Sequence, residues 1–127
     1  MKKIILLLTI LFTQIIVAQD VQETKPVFEE TKRLAEQGDA NAQHILGLCY
    51  DNGEGTTKDP KKAVFWYTKA AEQGDAKAQT NLSVLYTFGE GTQKDLKKAA
   101  YWCKKAQENG AEVAKKLWKD YELWKYE

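Results

Sequence analysis

The sequence predicts an all-α fold, an α/α superhelix (solenoid) of helix-turn-helix repeats behind a cleavable leader, and three observations carry that prediction. First, Ala40 to Asp75 aligns without a gap on Ala76 to Ala111, with 19 of 36 positions identical. A gapless self-match at that period is the mark of a solenoid unit. Second, within each unit the apolar residues recur at helical spacing, between residues that start and stop helices. Third, the chain opens with a short basic segment and then an apolar run.

That opening is the first element. Met1, Lys2 and Lys3 form a basic stretch, Ile4 to Val17 is almost unbroken apolar sequence, and Ala18-Gln19 offers a small-residue cleavage point. This is the pattern of a signal peptide over residues 1–18. The alternative, an uncleaved membrane anchor, is weakened by the 14-residue length of the run, since spanning a bilayer takes about 20 residues. Export to the periplasm or the medium is therefore the expectation, with no stable membrane insertion after cleavage. Residues 19–25 follow as a short linker. The repeat domain is expected over 26–127, as a half-repeat (26–39), two repeats (40–75 and 76–111) and a C-terminal capping helix (112–127).

The half-repeat reads as a remnant second helix, because Ala35-Glu36-Gln37-Gly38-Asp39 returns as Ala71-Glu72-Gln73-Gly74-Asp75. In each full unit, Asp39 or Asp75 is placed to cap a first helix. The apolar face of that helix is Ala42, Ile45, Leu46, Cys49 and Tyr50 in one unit and Ala78, Leu82, Leu85 and Tyr86 in the other. The turns Gly53-Glu54-Gly55-Thr56 and Gly89-Glu90-Gly91-Thr92 come next, since glycine permits the positive φ that ends a helix. Second helices open at Asp59-Pro60 and at Asp95, and bury Ala63, Trp66, Tyr67 and Ala70, or Ala99, Trp102, Cys103 and Ala106. Beyond them, Ala114, Leu117, Trp118 and Tyr121 reproduce a first-helix face. Leu123, Trp124 and Tyr126 then have no following helix to cover them. This aromatic end either joins another copy or a partner, or folds back on the last hairpin.

Those positions resemble the Sel-1-like repeat family, relatives of the tetratricopeptide repeats. The first unit meets the family pattern with Ala40, Ala42, Leu46, Gly47, Tyr50, Gly53, Gly55, Asp59, Ala63, Trp66, Tyr67, Ala70, Ala71 and Gly74. The second repeats it but departs at Ser83, Cys103 and Gln107. The resemblance implies a superhelix used as an adaptor for protein or peptide partners. One exported cysteine-rich branch is described as binding penicillin-like compounds, which implies β-lactam binding or hydrolysis as an alternative. That branch has a cysteine pair in every repeat, and this chain has only Cys49 and Cys103. An immunity or inhibitor protein that occludes an exported partner is a further alternative.

Chemistry-bearing residues are few. His44 is the sole histidine and Ser83 the sole serine, with no S-x-x-K or G-x-S-x-G context. No multi-histidine metal site or catalytic pair can form, so an enzyme, a metal and a cofactor are not expected. The two G-x-G turns lack the context of phosphate or calcium loops. The cysteines align with Leu85 and Tyr67, so each is expected to fill core volume, and the register does not demand a disulfide between them. Loss of Lys2 and Lys3 with the leader leaves 17 basic side chains against 18 acidic. Along the chain the charges are interspersed, which points neither to nucleic acid nor to an anionic membrane.

If the first helices line the concave side, as the resemblance implies, three ridges follow from the register. Asn41, Lys77 and Val113 form one, His44, Thr80 and Lys116 the second, and Leu48, Val84 and Asp120 the third. With Trp124, whose C-terminal segment could also support self-association, these are the expected partner-binding residues.

Overall fold

The computed structural model describes residues 2–127, with side chains described for 2–10 and 27–127. Its elements are α1 (Lys2–Glu36), α2 (Ala40–Asn52), α3 (Pro60–Glu72), α4 (Ala76–Phe88), α5 (Leu96–Glu108), α6 (Glu112–Asp120) and a closing 3-10 turn (Leu123–Tyr126). Among the described residues there is no strand. The backbone is helical through residues 19–25, where a linker was expected; the side chains there lie outside the described residues. No helix among the described residues is long and apolar enough to cross a membrane.

The caps fall where the aspartates predict them. The Asp39 and Asp75 carboxylates each accept from the backbone N–H three residues on, at 2.7 Å, and so open α2 and α4. Asp59 and Asp95 do the same for α3 and α5, at 3.2 and 3.0 Å. Each satisfies one of the N–H groups that a helix start leaves without a partner. At the third repeat position Ala111 stands where an aspartate would, and α6 begins with no side-chain cap.

Successive helices pack in chain order, α2 on α3, α3 on α4, α4 on α5 and α5 on α6. The first helices thus form one layer and the second helices the other. The interior is rich in alanine: Ala42, Ala63, Ala70, Ala78, Ala99 and Ala106 are buried and let the helices approach closely, while Leu46, Tyr67 and Leu82 fill the remaining volume. One contact between units depends on glycine. A Cβ on Gly91 would lie 2.3 Å from the Pro60 carbonyl carbon and oxygen, and Gly91 has φ +67°. Only glycine brings that turn against the start of α3.

A buried glutamine recurs in the same role in both units. Gln43 Nε2 donates to the Ala35 carbonyl at 3.1 Å and Gln79 Nε2 to the Ala71 carbonyl at 3.0 Å. Each satisfies a carbonyl at the end of the preceding helix. Their own amide oxygens accept from Gln73 at 2.8 Å and Asn109 at 3.0 Å, residues that close the next second helix.

Several side chains depart from expectation. Ile45 is exposed, and Cys49, Trp66 and Trp102 are only half-buried. The tryptophans lie at the flank of the apolar face and stack edge-on with Phe65 and Tyr101. Both cysteines are free, so no disulfide joins them; Cys103 is fully buried, as a core residue should be. At the C-terminus the helix stops at Asp120, because Glu122 takes a left-handed conformation (φ 50°). Tyr121 therefore misses the core and meets Phe88 edge to face, while Leu123 turns inward and is completely buried. Trp124 and Tyr126 remain exposed.

Candidate functional site

The first-helix layer carries a groove of about 460 Å³, lined by His44 and Leu48 of α2, Lys77, Thr80 and Asn81 of α4, and Ala111, Glu112 and Val113 at the start of α6. Five of these residues, His44, Leu48, Lys77, Thr80 and Val113, were expected from the register. Asn41, Val84, Lys116, Asp120 and Trp124 do not line it. Lys116 and Asp120 lie further along α6, which reaches the groove only through its first turn, and Trp124 lies past its end on the closing turn. Asn81, Ala111 and Glu112 were not foreseen. Each breaks the repeat, replacing the equivalents Ile45, Asp75 and Ala76, and that departure was the available signal.

Beneath the groove lies a polar network joining the two units. His44 is buried, and its Nε2 lies 3.3 Å from the Asn81 amide nitrogen, which donates to it; the ring proton then sits on Nδ1. Its ring tilts over that of Tyr67 at a centroid distance of 6.0 Å, and the Tyr67 hydroxyl donates to Asp51 Oδ2 at 3.4 Å. Burial pushes the His44 pKa below its ordinary value of 6.5, against the pull of Asp75 and reinforced by Lys77. Burial and the facing Asp51 carboxylate raise that of Tyr67. His44 is thus a buried strut in the groove floor whose neutral form is favoured.

The groove wall is apolar at Leu48, Ala111 and Val113. Its rim carries one cation, Lys77, and one anion, Glu112, which also pairs with Lys115 at 2.8 Å. The Thr80 hydroxyl donates to the Ala76 carbonyl at 2.9 Å. Such a surface offers shape and mixed hydrogen bonding to a ligand. Ser83 is fully buried and its hydroxyl donates to the Ala99 carbonyl at 2.7 Å. Among the described residues no three His, Cys, Asp or Glu side chains gather into a group that could hold a metal.

Comparison with known proteins adds three solved structures and a family match. The model of the Sel1 repeat matches twice, over residues 40–75 and 76–110. A Sel1 repeat protein from Oxalobacter formigenes is 43% identical with a TM-score of 0.69, the match covering 71% of this chain and 37% of that one. A protective antigen of uropathogenic Escherichia coli with the same repeat fold is 41% identical with a TM-score of 0.67, over 68% of this chain and 19% of its own. Cysteine-rich protein B of Helicobacter pylori is 29% identical with a TM-score of 0.69, over 72% of this chain and 69% of its own. The chain thus spans about a third and a fifth of the first two relatives. No curated protein matches the sequence.

Proposed function

Because the chain belongs to the Sel1 repeat family, whose helical solenoids typically serve protein–protein interaction, we propose that it is an exported, non-catalytic adaptor. It holds a protein or peptide segment in the groove between α2, α4 and the start of α6. The observation that carries this reading is the convergence of His44, Leu48, Lys77, Thr80 and Val113 from three successive first helices on one groove. The residues that line it differ from unit to unit, as in repeat proteins whose contact surface and framework serve different ends. Export rests on Lys2, Lys3, the apolar run to Val17 and the site after Ala18. N-terminal sequencing of protein recovered outside the cytoplasm tests it, a start at Gln19 being expected.

The groove is tested by replacing the exposed Lys77 and Val113 with glutamate and leaving His44 and Leu48 in place, since both also support the fold. Capture of the envelope protein retained by the wild-type chain should fall at least about tenfold, with circular dichroism and melting unchanged. Undiminished capture would remove the groove from consideration. An immunity or inhibitor role would use the same groove and differ only in the partner recovered. Hydrolysis of β-lactams has little support in this geometry, since Ser83 is sealed in the interior and neither thiol is paired. Turnover of a chromogenic β-lactam above that of a Ser83→Ala variant would reverse that judgement.

A further inference from the structure

The nearly neutral composition hides a concentration of lysine on two of the second helices. Helices α3 and α5 together carry seven lysines against two glutamates, whereas α2 and α4 carry one aspartate and one lysine between them. Six of those seven lysines are exposed and Lys105 is half-buried. The concentration follows a stripe. Lys61, Phe65 and Lys69 run up the outer side of α3, and Lys97, Tyr101 and Lys105 up that of α5, each opposite the buried alanines.

At the centre of each stripe stands an exposed ring, Phe65 at 53% and Tyr101 at 55%. Lys69 Nζ sits 5.1 Å from the Phe65 centroid and Lys105 Nζ 6.0 Å from that of Tyr101. Each ring is braced edge-on by a tryptophan behind it, Trp66 at 5.1 Å and Trp102 at 5.0 Å. In the half-repeat the equivalent position is Glu29, so the feature belongs to the two complete units alone. Beside Tyr101 the surface dips into a hollow of about 370 Å³ lined by Lys97, Lys104, Lys105 and Tyr126, in which Glu127 pairs with Lys104 and Glu108 with Lys105, and Lys97 has no such partner among the ion pairs of the described residues.

We propose that this second-helix face docks on an anionic lipid bilayer, leaving the groove of the opposite layer free for a protein partner. Lysines with long apolar stems can place their ammonium groups among anionic headgroups, while aromatic rings between them settle at the interface. The two rings stand at the same register position of successive second helices, which suits a broad surface. An acidic polypeptide is the competing polyanion. It would use the lysines, but it would not require both rings at once.

The test is co-sedimentation of the full chain with phosphatidylcholine vesicles and with vesicles containing about a third phosphatidylglycerol. The apolar N-terminal run contributes to both and Lys2 and Lys3 add to the anionic binding, so the basic face is read by the change that its own variants cause. Binding to the anionic vesicles should be about tenfold stronger and fall steeply when salt rises from about 0.05 to about 0.3 M. Lys61→Glu with Lys97→Glu should weaken anionic binding several-fold, and Phe65→Ala with Tyr101→Ala about tenfold. Lysine-to-arginine changes at the same two sites should preserve it, and circular dichroism should confirm that each variant is folded. Equal binding to both vesicles, or anionic binding insensitive to the charge reversals, overturns the proposal. So does tighter binding to polyglutamate that ignores the loss of the rings, which would assign the face to an acidic protein.

Discussion

At one place inside the hairpin the two units solve the same packing problem from opposite sides. In the first, Gly47 faces the Tyr67 ring so closely that a Cβ would lie 2.5 Å from two of its carbons. In the second, Ser83 stands for the glycine and Cys103 for the tyrosine, so that bulk moves from the second helix to the first. The polar groups move with it. Tyr67 donates to Asp51, whereas Ser83 donates to Ala99, Thr87 donates to the Ser83 carbonyl at 2.8 Å, and the Cys103 thiol donates to the Ala114 carbonyl at 3.2 Å. The position of the bulk changes, and the second unit's pair is the smaller of the two. The first unit spends its large ring on a network that reaches His44 and Asn81 under the groove; the second spends its small thiol on seating α6.

Exchanging the pairs should break this comparison most severely. Gly47→Ser alone drives a Cβ into the ring and should cost roughly 3 kcal/mol, and Tyr67→Cys alone leaves a cavity of similar cost, about 3 kcal/mol. Together they transplant the second unit's solution into the first, and a coupling of about 2 kcal/mol should be recovered in urea unfolding. Strict additivity would mean that the two positions are not one packing unit. The reverse probe is milder: Ser83→Gly removes a hydrogen bond and adds a helical glycine, for a loss of about 1–2 kcal/mol.

Weaker still is the pH dependence of the network that only the first unit has. With its folded pKa depressed, His44 takes up a proton more readily in the unfolded chain, so its contribution is complete above pH 6.5 and declines as pH falls below that value. Melting temperature should drop between pH 7.5 and 5.5 in the wild type and drop less in His44→Gln; parallel curves would remove His44 as the cause. The smallest change is a gain. Ala111 has φ −77° and ψ 100°, close to the −67° and 115° of Asp39, so Ala111→Asp should supply the missing cap of α6 and add about 0.5–1 kcal/mol.

Most of the scaffold was legible because a repeated unit displays its own rules. The cap aspartates, the turn glycines and the alanine faces each occur twice at the same offset, and the structure uses them twice in the same way. The groove was half legible: the register placed Leu48, Lys77, Thr80 and Val113, but Asn81 and Glu112 matter through their difference from Ile45 and Ala76. Other features were lost when properties were taken along the chain. Lysines and acids are mixed along the chain, and only the fold shows that the stripes of α3 and α5 stand on the same side. Tyr121 follows the helical period, yet the left-handed Glu122 ends the helix first and hands its core site to Leu123. Gln43 and Gln79 are identical in both units but polar, so an apolar-periodicity argument passes over them.

Those two glutamines govern more than the satisfaction of carbonyls. Each links three successive helices through one side chain, so a hairpin cannot detach without exposing a carbonyl of the helix before it and an amide of the helix after. The link makes the array behave as one cooperative body across its first two joints. At the third joint the equivalent residue is Lys115, exposed and paired only with Glu112. The last helix is held instead by Ala114, Leu117, Leu123 and the Cys103 thiol, without the polar link that ties the earlier helices to both neighbours.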